Sequence, residues 1–385
     1  MPVTYETAAP PERALLVAVG EKSNGHQGFT PEESLTELAQ LVETAGAEVV
    51  GEVVQRLDRP HPAHYVGKGK LGELTALKQD AGYSMVLFDD ELSPSQQRNL
   101  ENALKVKVLD RTALILDIFA QRASTREARL QVELAQTEYL LPRLAGQWSH
   151  LERLEGAIGT RGPGETQIET DRRLVRTRVS RLKREIQSVR KQRDLYRRRR
   201  QRAGVPVVSL VGYTNAGKST LMRALSGAKV LAEDRLFATL DPVTRRINLP
   251  VDGFGQPRPV LLTDTVGFIQ KLPTQLVAAF RATLEELREA DVLLHVVDIT
   301  HPNAAEQSAV VEATLRELDV LDRPTITVLN KVDRFQRSDG AGVNGLEDID
   351  ELRDLAGMEG RRICFVSAAR GWGLDTLRRA IADLT

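Results

Sequence analysis

The chain has 385 residues, 41% of them hydrophobic and 28% charged, the composition of an ordinary globular protein of two or three domains. Lys plus Arg and Asp plus Glu balance at 53 each, so net charge alone selects no partner. The single cysteine, Cys364, excludes a disulfide framework, and no apolar run reaches the roughly 20 residues that a membrane span needs. The N-terminus, Met1-Pro2-Val3-Thr4-Tyr5-Glu6, lacks the basic and apolar regions of a signal peptide, so a reducing cytoplasm is the expected compartment.

Residues 13–110 alternate between strand-like and helix-like patterns. Arg13–Val19 reads as a strand. Thr30-Pro31-Glu32-Glu33 opens a helix by its cap and its N1 proline, with Leu35, Leu38, Leu41 and Val42 on one face. Strands follow at Glu48–Val54, Met85–Phe88 and Val106–Leu109, with helices at Lys70–Gln79 and from Ser93 onward. This alternation implies a parallel sheet and a small α/β domain over residues 1–111. The glycine turn Gly67-Lys68-Gly69-Lys70 fails as a Walker motif, because no GK[ST] follows at the right spacing; anion contact and a plain helix start are both open readings. His61 and His64 have no third ligand nearby and carry no metal assignment.

From Thr112 the pattern becomes a long helix, with Leu130, Leu134, Thr137 and Leu141 at 4-3-4 spacing and an end at Pro142. A second helix is expected from about Asp171 to Gln201, seamed by Val175, Val179, Leu182, Ile186 and Val189. The two read as an antiparallel helical hairpin over residues 112–203, with a tip loop at about 143–170. Within the tip, Gly156–Gln167 carries four glycines and a proline, which argue against regular structure. The outer face of the second helix is unusual. Residues 171–202 hold fifteen Lys/Arg against three acids, a net +12 that leaves −12 for the rest of the chain. A solvated helix face normally mixes signs, so this stretch reads as an electrostatic footprint for a polyanion such as RNA.

Residues 204–385 read as a P-loop GTPase domain. Val205–Val211 is a β-branched strand, Gly212-Tyr213-Thr214-Asn215-Ala216-Gly217-Lys218-Ser219 fits GxxxxGK[ST], and a helix begins at Thr220. In such a turn backbone N–H groups and the positive helix end cradle phosphate. Lys218 is expected on the β- and γ-phosphates, and the Ser219 hydroxyl on Mg²⁺. After the strand Pro259–Thr263, Asp264-Thr265-Val266-Gly267 fits DxxG, with Asp264 holding Mg²⁺ through water and the Gly267 N–H meeting the γ-phosphate. Asn330-Lys331-Val332-Asp333 ends the strand Thr325–Leu329. The Asp333 carboxylate can accept two hydrogen bonds from guanine; adenine lacks that donor pair and forfeits roughly 1.5–3 kcal/mol for each. Ser367-Ala368-Ala369, after the strand Arg362–Val366, would close over the base with backbone N–H groups. Each motif alone is weak. Four in order, each at the end of a strand, specify binding of GTP and GDP and hydrolysis of GTP.

With these motifs in place the chain resembles the HflX family of translation-factor GTPases. The match is carried by Gly67–Lys70, by Gly159-Thr160-Arg161-Gly162-Pro163-Gly164-Glu165-Thr166, by the P-loop with Asn215, by Phe237-Ala238-Thr239-Leu240-Asp241-Pro242, and by Asp264–Phe268. It covers nearly the whole sequence. The resemblance implies binding to the large ribosomal subunit and its rRNA, and splitting of stalled or idle ribosomes, with the hairpin tip near the peptidyl-transferase centre. It also implies that Thr239 is the switch I ligand of Mg²⁺, where spacing alone leaves Thr244 open. Some members carry a further domain after the GTPase domain; here only a helix, Leu374 to Leu384, follows Ser367.

Phe268 stands where many GTPases carry a water-orienting glutamine. A phenyl ring cannot orient water by hydrogen bonding, so slow intrinsic hydrolysis and completion of the site by an external partner are expected. Asn215 resembles GTPases that use K⁺; the other reading is a hydrogen bond to the switch I backbone. A monomer is expected, in the cytoplasm or peripheral to a membrane. Two rival functions stay open: assembly of the large subunit, and regulatory switching of a protein partner.

Overall fold

The computed structural model describes residues 11–22, 28–147, 163–202, 204–227, 236–237, 240–250, 257–273, 285–336, 342–343, 345, 348 and 362–385. Two compact units are present. One takes the chain up to Ile118 together with Gln136–Val179; the other takes Phe119–Ala135 and Ser180–Thr385, so the helical stretch 112–203 contributes to both.

The first unit contains strands β1 (Arg13–Glu21), β2 (Glu48–Leu57), β3 (Met85–Phe88) and β4 (Lys107–Asp110), in the order β2-β1-β3-β4 and all parallel. Helices α1 (Pro31–Ala45), α2 (Lys68–Ala81) and α3 (Pro94–Leu104) are the crossovers. Local chemistry fixes where they start. Thr30 and Glu33 form a reciprocal capping box on α1, with Glu33 N–H to Thr30 Oγ1 at 3.2 Å and Thr30 N–H to Glu33 Oε2 at 2.7 Å. Ser93 and Gln96 do the same for α3. Gly67 is the N-cap of α2 and its N–H donates to Gln55 Oε1, so that glycine turn opens a helix. Leu15, Val17, Leu74, Val86, Phe88, Leu100 and Val108 make one core.

Above the carboxyl ends of β3 and β4 sits a buried charge cluster. Arg111 is 1% exposed and meets Asp89 at 2.9 Å, Glu37 at 2.6 Å and the Ser34 carbonyl at 3.1 Å. Burial is tolerated because each fork of the guanidinium has a partner.

The expected long helix from Thr112 is two helices, α4 (Arg111–Arg122) and α5 (Arg126–Gln147). Thr125 divides them: its hydroxyl accepts from Ala128 N–H at 3.1 Å and its carbonyl from Arg129 N–H at 3.1 Å, as an N-cap does. The expected end at Pro142 is also corrected, since α5 runs through that proline. Arg143 just beyond it donates to the Tyr139 carbonyl at 3.0 Å, lies over the Tyr139 ring and pairs with Asp110 at 3.1 Å. These contacts hold the turn that the missing N–H weakens.

The second long helix, α6, spans Pro163–Arg202 rather than starting near Asp171. Proline at N1 has no N–H to lose, so Pro163 starts a helix where its glycine neighbours suggest a loop. Residues 143–147 and 163–170 of the expected tip loop are therefore helical, and 148–162 lie outside the described residues. The expected seam on α6 is present: Leu182 and Ile186 are buried and Val175, Val179 and Val189 half-buried, between exposed neighbours.

The second unit holds a six-stranded sheet in the order β10-β9-β8-β5-β7-β6. Its strands are β5 (Val207–Gly212), β6 (Val243–Leu249), β7 (Arg258–Asp264), β8 (Val292–Asp298), β9 (Thr325–Asn330) and β10 (Ile363–Phe365). All neighbours are parallel except β6 and β7. Neither β6 nor β8 was expected from sequence, although β8 is buried along its whole length. Helices α7 (Lys218–Ser226), α8 (Ala304–Glu317) and α9 (Leu374–Ala382) complete the described elements. Among the described residues no helix is long and apolar enough to cross a membrane.

Candidate functional site

The site lies beyond the carboxyl ends of the parallel strands, where an open α/β sheet binds ligands. β5 delivers the turn Gly212–Gly217 and α7 starts directly after it at Lys218. Glycine is required at two points. A Cβ on Gly212, at φ 153°, would overlap the Val296 carbonyl of β8, and one on Gly217, at φ 93°, would overlap the Asn330 amide. The Gly267 backbone is also close to its neighbours: a Cβ there would lie 2.9 Å from Thr214 Cα and 3.0 Å from Lys218 Nζ.

Lys218 is buried and its ammonium donates to the carbonyls of Gly212 at 3.0 Å and Tyr213 at 2.8 Å, a bracket across the loop. Burial lowers its pKa to about 8, while the Asp264 carboxylate works in the opposite direction. The Ser219 hydroxyl donates to Asp264 Oδ2 at 2.7 Å, so the hydroxyl and carboxylate expected on Mg²⁺ stand together. Thr239 lies outside the described residues. Thr265 fastens the DxxG turn by donating to the Leu210 carbonyl at 2.6 Å. The Phe268 ring is buried at 2% exposure; its carbonyl accepts from Thr214 N–H at 2.7 Å and its N–H donates to Gly212 O at 3.1 Å. Tyr213 is buried too, and its hydroxyl accepts from Gln270 N–H. Ala216 is buried, Asn215 is exposed at φ 60°, and Thr220 is half-buried in the first turn of α7.

The residues expected to read the base converge from β9 and β10. Asn330 donates to the Ala216 carbonyl at 2.9 Å and accepts from Ala368 N–H at 3.1 Å. Asp333 Oδ1 accepts from the Ser367 hydroxyl at 2.6 Å, and Ala369 next to it is exposed. Lys331, at φ 66°, forms a 2.7 Å ion pair with Asp298 at the end of β8. The sequence reading missed Asp298, Thr265 and His295. His295 sits in β8 with its pKa pushed down to about 4, by burial and then by the Lys218 charge, so the ring stays neutral beside the lysine. The signal for Asp298 was present, since it ends a largely apolar run as Asp264 does.

Three family models match in succession: "GTP-binding GTPase N-terminal" over residues 32–120, "GTP-binding GTPase Middle Region" over 122–200, and "50S ribosome-binding GTPase" over 207–331. The GTPase HflX of Caldanaerobacter subterraneus is 47% identical over 376 residues, 98% of this chain and 81% of that protein. The GTPase HflX of Escherichia coli K12 is 46% identical, over 97% of this chain and 82% of its own. The chain belongs to the HflX GTPase family. Among solved structures, that of SsGBP in complex with GDP is similar to this HflX chain with a TM-score of 0.51 and 25% identity, covering 97% of this chain and 98% of that one. This HflX protein is thus a hydrolase acting on GTP, built on a P-loop GTPase fold.

The depressed pKa of Lys218 has a measurable outcome. With its pKa lowered to about 8, the lysine would gain charge if a polyphosphate binds beside it, as that turn is expected to allow. Nucleotide binding near pH 8 is expected to take up a fraction of a proton that is not taken up near pH 6, where the lysine is already charged. Calorimetry in buffers of different ionisation enthalpy reads this, and Lys218→Ala should remove the difference; equal proton uptake at both pH values in the wild type would contradict it.

Proposed function

We propose that this GTPase binds the large ribosomal subunit through its rRNA and splits stalled or idle ribosomes in the cytoplasm, with hydrolysis stimulated by the ribosome. The observation that carries the reading is the solvent face of α6. Arg172, Arg173, Arg176, Arg178, Lys183, Arg184 and Lys191 are all exposed, while Leu182 and Ile186 turn inward. A lone basic face on a helix whose other face is committed to packing suits a phosphate backbone. The match to a model described as a ribosome-binding GTPase supports the same reading.

Within the site, residues Gly212 to Thr220 would wrap the phosphates, with the Lys218 ammonium exchanging its carbonyl partners for β- and γ-phosphate oxygens. Ser219, Asp264 and Thr239 would hold Mg²⁺; the hard oxygens of Ser219 and Asp264, already 2.7 Å apart, fit that ion. When bound, the ion neutralises charge on the β- and γ-phosphates. Gly267 would meet the γ-phosphate by its N–H, and Lys218, Thr239 and Gly267 would together form the catalytic set. Asn330, Lys331 and Asp333 would read guanine, with Ser367, Ala368 and Ala369 closing over it. The buried Phe268 ring leaves the attacking water without a side-chain partner of its own, which suits a hydrolase completed by its ribosome.

Three tests follow from these assignments. Incubation of ribosomes with the protein and a non-hydrolysable GTP analogue should convert 70S particles into subunits on a sucrose gradient. Binding only to precursor particles would favour subunit assembly instead, and absence of co-sedimentation a protein partner. Asp333→Asn should weaken GTP by at least about tenfold, for the loss of charged hydrogen bonds at roughly 1.5–3 kcal/mol, and improve xanthosine triphosphate; unchanged GTP affinity in a direct titration would remove Asp333 from base recognition. Asn215, exposed at the mouth of the loop, is proposed to share a K⁺ ion with the phosphates. Single-turnover hydrolysis should then be faster in KCl than in NaCl at matched ionic strength, and equal rates would discard the ion.

A further inference from the structure

The segment around residues 236–241 is fastened to the start of α5 by contacts that the nucleotide chemistry does not use, all within the second unit. Asp241 Oδ2 accepts from Ser124 N–H at 3.0 Å, Ser124 Oγ at 2.5 Å and Thr125 N–H at 3.0 Å. Its Oδ1 accepts from Thr125 Oγ1. Thr125 is the residue that caps α5, so the carboxylate sits on a helix N-terminus, where negative charge is favoured. Burial pushes the Asp241 pKa up, but these hydrogen bonds outweigh it and hold the carboxyl below its ordinary range. Four residues earlier, Phe237 stands edge-on to Phe119 near the end of α4, with ring centroids 4.6 Å apart. Leu236, Phe237 and Leu240 are each no more than 4% exposed.

We propose that Asp241 is a positioning residue for the GTPase site, which anchors the switch I segment on the N-terminus of α5 and so ties the state of that helix to the preference for GTP over GDP. The inference rests on the assignment of Thr239 to switch I given above. Thr239 lies between the anchors Phe237 and Asp241, two residues from each, and two residues of chain span at most about 7 Å. Thr239 can therefore lie more than that distance from the position of either anchor in this structure only if Phe237 leaves Phe119 or Asp241 leaves Ser124 and Thr125. A segment held in this way needs less ordering when a γ-phosphate binds, and GDP gains nothing from it. By reciprocity, whatever displaces the start of α5 changes the affinity for GTP by the same factor.

The test is the ratio of affinities for a non-hydrolysable GTP analogue and for GDP, by fluorescence titration with Mg²⁺. Asp241→Ala should lower that ratio by about five- to tenfold, a typical allosteric coupling. Ser124→Ala combined with Thr125→Ala should do the same from the other side, and the triple variant should lose little more. Asp241→Asn keeps the volume and one acceptor, and should fall between wild type and alanine. In the wild type, hydrogen exchange at the Ala128 and Arg129 amides should differ between GDP and the analogue, and in Asp241→Ala it should not. A lowered melting temperature with an unchanged ratio in both Asp241 variants would reduce the contact to a helix cap and overturn the proposal. Thr239→Ala, run alongside, separates the two levels: if it lowers the ratio and Asp241→Ala does not, the positioning role fails while the switch I assignment stands. If Thr239→Ala leaves the ratio unchanged, the assignment itself fails.

Discussion

The cleft proposed for the nucleotide depends on one buried amide. Asn330 has 2% of its surface exposed and spends both ends of its side chain on backbone, donating to the Ala216 carbonyl and accepting from the Ala368 N–H. These partners belong to the phosphate loop and to the loop after β10, more than a hundred and almost forty residues away in sequence. Because an amide presents a donor and an acceptor at fixed geometry, it sets the distance between the Gly212–Gly217 turn and the loop after β10. Neither a carboxylate nor an aliphatic residue of the same size could do so, and in both cases a buried backbone group would be left unpaired, at about 1–3 kcal/mol.

Around this strut the fit is close enough to dictate residue type by backbone contact. Gly212 is wedged under the Val296 carbonyl, Gly217 under Asn330, and Gly267 against Thr214 and Lys218. The loops touch because parallel pairing of β7, β5, β8 and β9 brings their carboxyl ends to one level. Lys331 and Asp298 then tie the ends of β9 and β8 together by an ion pair. The chemistry of the site thus follows from strand register as much as from motif residues.

Much of this was legible in the sequence. The phosphate loop, DxxG, Asn330–Asp333 and Ser367–Ala369 stand out because each needs a rare combination of residue types just after an apolar run, and the structure brings them to one cleft. The parallel sheet of the first unit was readable from alternation and from the capping residues Thr30 and Ser93. What escaped has physical reasons. Pro142 reads as a stop signal, yet Arg143 holds the next turn through partners as distant as Asp110. Gly164 beside Pro163 reads as a loop, although the first turn of a helix is where the missing N–H of proline costs nothing. The break before α5 is marked only by Ser124 and Thr125 in a run of good helix formers, and both bond to Asp241, far along the chain. β6 carries the polar run Thr244-Arg245-Arg246 and Asn248, so its pairing with β7 has no strong apolar signal.

Among the described residues the six-stranded sheet ends in β10 and β6, and neither rim offers a good template. β10 is three residues long, and β6 shows the consecutive exposed arginines Arg245 and Arg246. Short or positively charged border strands repel an incoming extended chain, because it would gain few backbone hydrogen bonds or bury like charge. A partner that grips the GTP-binding unit is therefore steered away from zipping on as an additional strand. It must take hold through side chains and loops, surfaces that can let go without unpicking a ladder.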